Sequence, residues 1–130
     1  MKGKVLALDY GTKHVGVASG NFELGIAFPR DVIDNKGQDS LVLEILKLVG
    51  DLEVLKIVVG LPLSEGEDEN PIMAEVRSFV EKLKASGLDV EFIDERYSSF
   101  EAANKFGRAK KDDAQAAQVI LQRYFDKNVS

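Results

Sequence analysis

The sequence has no cysteine and no tryptophan, and only one histidine and three prolines in 130 residues. Without cysteine there is no disulfide framework and no thiolate to hold a metal. A single histidine excludes a zinc site built from several imidazoles of the chain. No apolar run approaches the roughly 20 residues needed to span a bilayer. The opening Met1-Lys2-Gly3-Lys4 leads straight into a strand-like run ending in a charge, which is not the pattern of a secretory leader. A cytoplasmic protein without membrane contact is the expectation. Internal repeats, low-complexity tracts and linkers are also missing, so residues 1–130 are expected to form a single domain. Excess positive charge is absent too. A net charge of −5 argues against a protein that coats nucleic acid non-specifically. It does not exclude a nuclease, whose active-site carboxylates add to that sum and are offset locally by bound divalent ions.

A hydrophobic content of 45% is ordinary for a folded domain. Residues 4–9 (KVLALD) are nearly continuously apolar, the mark of a buried strand. Gly11 and Thr12 make a turn, residues 14–18 return as a second strand, and residues 24–32 form a third, giving an antiparallel meander. Apolar positions at 41, 42, 45, 46, 48 and 49 predict a helix over 39–49, with Gly50 as its C-cap. Residues 55–60 are a further buried strand, stopped by Pro62, and residues 64–69 are an acidic loop. Asn70-Pro71 opens a helix, with Asn as cap and Pro in the first turn, that ends at Gly87. Residues 89–93 form a last strand. A capping-box pattern, Ser98-x-x-Glu101, opens a short helix, and a final helix covers 112–125. The order βββαβαβαα implies parallel pairing of the later strands through right-handed crossovers. The expected fold is α/β and ribonuclease H-like: a five-stranded mixed sheet, a three-strand meander followed by alternating β and α units, with helices on both faces.

Three acids stand out by position. Asp9 ends the first buried strand and Glu95 ends the run 90–95 (VEFIDE) of the last one, and parallel strands finish on the edge where ligands bind. Asp113 begins the packed face of the final helix, whose first turn favours an ionised acid. Each has a plainer role when taken alone, as turn-former, ion-pair partner or helix cap. Together, without thiolate or imidazole, they suit a hard, oxygen-preferring cation such as Mg²⁺ or Mn²⁺. Two such ions can activate water and stabilise the leaving oxygen of a phosphodiester. Lys13, His14, Arg96, Arg108, Lys110 and Lys111 are candidates for holding the phosphate backbone, the last three within the basic run 105–111.

The segments LALDYGTKHVGVA (6–18), IVVGLPLSEGEDENPIMAEVRSFVEKL (57–83), DERYSSFEA (94–102) and DDAQAAQVILQRYF (112–125) together resemble the YqgF family, Holliday-junction-resolvase-like nucleases of bacteria. The likeness runs in order over essentially the whole chain. It implies catalytic acids at Asp9, Glu95 and Asp113, with the ILQRYF stretch selecting Asp113 over Asp112. It also implies a cytoplasmic role in maturing the 5′ end of pre-16S ribosomal RNA, with ribosomal particles as partners. His14 stands where the family usually has arginine, Asp112 where it has an apolar residue, and the segment before Asp113 lacks the usual glycines.

Other readings share the fold. A four-way DNA junction resolvase would use the same acids, though paired cuts call for a two-fold dimer, and a monomer or weak dimer is expected here. A non-catalytic nucleic-acid-binding module would bind RNA without metal or Asp9. Asp9-Tyr-Gly-Thr12 also resembles the first phosphate loop of actin-like kinases, but those need a second domain that 130 residues cannot supply.

Overall fold

In a computed structural model, which describes residues 3–61, 71–94 and 112–129, the chain forms one five-stranded sheet with helices on both faces. Strands β1 (Lys4–Tyr10), β2 (His14–Asn21) and β3 (Ile26–Asp34) form the meander. Helix α1 (Gln38–Leu52), strand β4 (Val54–Leu61), helix α2 (Pro71–Ala85), strand β5 (Val90–Asp94) and helix α3 (Asp112–Val129) follow. The sheet order is β3-β2-β1-β4-β5, with β1 antiparallel to β2 and parallel to β4, and β4 parallel to β5. This is the mixed sheet expected from the sequence. The acidic loop 64–69, the cap Asn70 and the short helix opened by Ser98 lie outside the described residues.

Side chains on a strand alternate between faces, and β1 shows why the sheet needs covering on both. Leu6, Leu8 and Tyr10 enter one apolar cluster, with Val15, Val17, Ile57 and Val59 of the sheet, Leu41 and Ile45 of α1, and Val76, Phe79 and Leu83 of α2. Val5 and Ala7 enter the other, with Ala18, Ala27 and Val58 of the sheet and Ala117, Ile120, Leu121 and Phe125 of α3. The α3 layer is lined by alanines, so that helix lies close to the sheet. A Cβ on Gly20 would sit 2.8 Å from the Phe125 ring and 2.5 Å from the Ile26 carbonyl oxygen.

Most element ends shift by one to four residues from expectation, and two of the shifts have a visible cause. The third strand starts at Ile26, because the Asn21 side chain accepts the Leu24 N–H at 2.8 Å and Gly25 adopts φ 65°, which turns the chain before Ile26. Leu24 is left 61% exposed. Gly50 is not the C-cap of α1. The helix runs on to Leu52, which packs against the core, and Glu53 takes the left-handed conformation with its N–H bonded to the Val49 carbonyl. Helix α2 does end as read: Gly87, at φ 91°, donates to Lys84 O, and Leu88 N–H reaches back to Leu83 O.

Candidate functional site

The three parallel strands finish on one edge of the sheet. Leu8 pairs with Val59, and Leu61 pairs with Asp94, so the ends of β1, β4 and β5 come level there. Asp9 sits at that edge on the central strand. It is half-buried, and the alternation that sends Val5 and Ala7 toward α3 sends Asp9 the same way. Its partner across the β1–β2 ladder is Gly16, which brings no side chain to that face.

Helix α3 runs antiparallel to β1. Its later part lies over the strand starts: Gln122 accepts the Ala27 N–H at 3.0 Å and donates to the Gly25 carbonyl at 2.9 Å, and Gln118 donates to the Ala27 carbonyl at 3.0 Å. Through the ladders Ala27 aligns with Gly20, and Gly20 with Val5. From Val5 to Asp9 is roughly 13 Å of strand at ~3.3 Å per residue. From Gln122 back to Asp113 is roughly 14 Å of helix at 1.5 Å per residue. The first turn of α3 therefore comes level with the strand edge that carries Asp9. Asp113 is in that turn, though its side chain lies outside the described residues. Glu95 directly follows the end of β5 and also lies outside them, as do Arg96, Arg108, Lys110 and Lys111. Among the described residues, no three His, Cys, Asp or Glu side chains group closely enough to hold a metal ion.

Lys13 and His14 lie in the turn and strand that follow β1. Lys13 is exposed in the turn after β1. His14 opens β2, two residues before Gly16 and so on the same face as Asp9, with its Nε2 3.9 Å from Asp34 Oδ1. The turn itself demands glycine, because a Cβ on Gly11 would stand 2.5 Å from the His14 carbonyl oxygen.

Sequence reasoning missed the polar groups that hold this edge from the opposite face. The Tyr10 hydroxyl donates to Glu75 Oε1 at 3.0 Å and accepts from Gln38 Nε2 at 3.2 Å. Gln38 Nε2 also donates to the Glu75 carbonyl at 2.9 Å, and Ser78 Oγ donates to Gln38 Oε1 at 3.0 Å. The Tyr10 ring packs on Phe79 at 5.1 Å. Asn35 bonds the turn 11–13 directly. The only sequence signal for Asn35 was Asn-Lys-Gly at 35–37, a turn pattern with no chemistry of its own.

At the far end of the same sheet, Lys56 forms a second polar cluster. Its ammonium lies 3.1 Å from Asp89 Oδ2 and 2.5 Å from Glu91 Oε2, with the lysine side chain 13% exposed. Burial pulls the Lys56 pKa down, but hydrogen bonds and charge from Glu91 and Asp89 outweigh it and hold the group above its ordinary value. Burial, followed by the charge of Glu91, pushes the Tyr124 hydroxyl up. This cluster ties the strand starts to the C-terminal half of α3.

The solved structures similar to this chain share its fold. A RuvC structure from Thermus thermophilus matches with a TM-score of 0.59 at 10% identity, covering 95% of each chain. The same organism's RuvC in complex with a Holliday junction substrate matches with a TM-score of 0.60 at 11% identity, covering 97% of this chain and 96% of that one. The large terminase nuclease of thermophilic phage G20c matches at a TM-score of 0.53 and 12% identity, covering 95% of this chain and 56% of the other. Curated relatives lie much nearer in sequence. A protein of Nitrosospira multiformis described as a "Putative pre-16S rRNA nuclease" is 38% identical, over 95% of this chain and 88% of its own length. One of Bordetella petrii with the same description is 40% identical, over 94% of each. The family model described as "RuvX: Holliday junction resolvase" matches residues 3–127. With that match spanning nearly the whole chain, this protein belongs to the RuvX family, also called YqgF.

Proposed function

We propose that this chain is a divalent-metal-dependent nuclease that hydrolyses phosphodiester bonds of nucleic acid, acting in the cytoplasm on the 5′ flank of pre-16S ribosomal RNA. The observation that carries the reading is the placement of Asp9: half-buried at the end of β1, the central strand of the sheet, on the α3 face, level with the first turn of that helix. The relatives' described activity supplies the substrate.

Asp9, Glu95 and Asp113 form an all-carboxylate donor set, which fits Mg²⁺ or Mn²⁺ and not a soft metal. Such an ion, when bound, supplies water activation and charge neutralisation at the phosphate. The rest falls to the chain. Half-burial strengthens the field of the Asp9 carboxylate. The opening amides of α3 favour negative charge at the same edge, whether that of Asp113 or of a phosphate. Lys13 and His14, with Arg96, Arg108, Lys110 and Lys111, hold the phosphate backbone on either side of the scissile bond. The protein acts as a monomer or weak dimer.

Cleavage of a labelled RNA bearing the 5′ flank of 16S rRNA, and of a four-way DNA junction, tests this with Mn²⁺ or Mg²⁺. Asp9→Asn and Glu95→Gln are each expected to lower RNA cleavage ~10³-fold, the loss of several kcal/mol of transition-state stabilisation. Full activity in both variants would refute the site. Cleavage of the junction alone, lost in Asp9→Asn, would make the protein a resolvase. Metal-independent RNA binding without cleavage would make it a binding module.

A further inference from the structure

We infer that Asn35 is a positioning residue for substrate phosphate, acting through the turn 11–13. The inference rests on the nuclease reading above and adds to it a residue outside the acids and the basic side chains.

The turn 11–13 links Asp9 and Tyr10 of β1 to His14 of β2 and carries Lys13. Gly11 and Lys13 at its two ends are both held by Asn35. The Asn35 side-chain amide donates to the Gly11 carbonyl at 2.8 Å, and its backbone N–H donates to the Lys13 carbonyl at 2.9 Å. The carboxamide cannot easily turn over, because Asn35 Oδ1 accepts the Gly37 N–H at 3.0 Å just before α1 begins. The same connection reaches Tyr10 through Gln38, the first residue of α1. Thus residues 35–38 grip the end of β1 and the turn together.

The chemical consequence follows from charge. Carbonyl oxygens are the negative ends of their peptides and repel an approaching phosphate. Bonded to Asn35, the oxygens of Gly11 and Lys13 are committed to the protein. The exposed Lys13 side chain and the half-buried His14 are what the turn then offers. A turn of fixed shape also spares the substrate the entropy of ordering it. Removing the Asn35 side chain therefore weakens ground-state binding while leaving the acids that perform the chemistry in place.

Three variants separate this role from simple support of α1. Asn35→Ala removes the bonds to both Gly11 and Gly37. Asn35→Asp keeps the acceptor for Gly37 but has no N–H for Gly11. Lys36→Gln changes net charge by the same amount as Asn35→Asp without touching the turn. Hydrogen exchange over 10–14 reads the turn. Fluorescence anisotropy reads affinity for the labelled RNA with Ca²⁺ present, and steady-state cleavage with Mn²⁺ separates KM from kcat. Both Asn35 variants are expected to speed exchange over 10–14 and to weaken RNA affinity about tenfold, the value of one good polar contact, with kcat within about twofold. Lys36→Gln is expected to stay near wild type. Unchanged exchange overturns the inference, as does a loosened turn with undiminished affinity, or an Asn35→Asp no weaker than Lys36→Gln. A wild type that neither binds nor cleaves RNA brings down the nuclease reading and this role together. An active wild type with indifferent Asn35 variants sinks this role alone.

Discussion

The two faces of the sheet are built differently. Under α1 and α2 the layer consists of large side chains, among them Leu6, Leu8, Ile45, Phe79 and Leu83, all fully buried. Under α3 the sheet offers small residues, Ala7, Ala18 and Ala27, with Gly16 opposite Asp9 and Gly20 beneath Phe125, and the helix brings Ala117 down among them. There, polar pins replace bulk, with Gln118 and Gln122 bonded to the backbone of β3 and its turn. The aromatic contacts of Phe22 with Tyr124 and Phe125 lie at the C-terminal end of α3, away from Asp9. The thick face provides cohesion. The thin face trades buried area for proximity, which brings the first turn of α3 level with the end of β1.

That contrast can be broken most forcefully by Leu83→Ala on the thick face. It is expected to cost about 2–5 kcal/mol of stability by leaving a cavity. RNA affinity per folded molecule, measured well below the midpoint of a urea titration, should not change. If affinity fell in step with stability, the thick face would be shaping the site as well as supporting it. Next in size is Gly20→Ala on the thin face. Its new methyl must displace the Phe125 ring or the Ile26 carbonyl, at roughly 1–3 kcal/mol. Here hydrogen exchange over 114–125 should quicken before that of α2; equal protection of both helices would show that α3 is not the tightly fitted one.

Gln122→Ala sharpens the role of the polar pins. It leaves the Ala27 N–H without its partner at the edge of the sheet, an expected loss of about 1–2 kcal/mol by thermal or chemical denaturation. No measurable loss would mean that the alanine-lined contact alone seats α3. The smallest effect concerns the Lys56 cluster. Both Lys56 and Tyr124 have pKa values raised in the folded protein above their ordinary 10.5 and 10.0. A raised folded pKa means that the native state holds its proton more tightly, so the stabilisation is complete below about pH 10 and fades as pH climbs through the folded values. Stability measured from pH 8 to 11 should therefore decline at the alkaline end, and less steeply in Lys56→Met. A flat profile would remove this cluster from the forces that seat α3.

The strands and helices were legible because their apolar spacing is dictated by burial. The continuous run 4–9 had to be covered on both sides, and the helical spacing in 72–83 matches the buried Val76, Phe79, Val80 and Leu83. The ends were less legible. Leu24 looks like a strand residue, but the Asn21 side chain and Gly25 together turn the chain there. Gly50 looks like a helix stop, but Leu52 gains contact with the core if the helix continues. In both places a tertiary or side-chain contact outweighed a local preference of about 1 kcal/mol or less.

The candidate site divides in the same way. The sequence by itself determined which residue types are available: carboxylates at strand and helix ends, no cysteine, one histidine, and therefore a preference for hard cations. It also determined that β1, β4 and β5 end on one edge, since helical crossovers leave parallel strands little alternative. Only the tertiary structure decided that α3 runs antiparallel to β1 with its first turn at the Asp9 edge, because that depends on where Gln122 and Phe125 seat. Likewise, Asn35 and Gln38 gained their places only through contacts of 24 and 28 residues' separation. Periodicity records which face of an element is buried; it carries no record of which distant element a polar side chain will meet there.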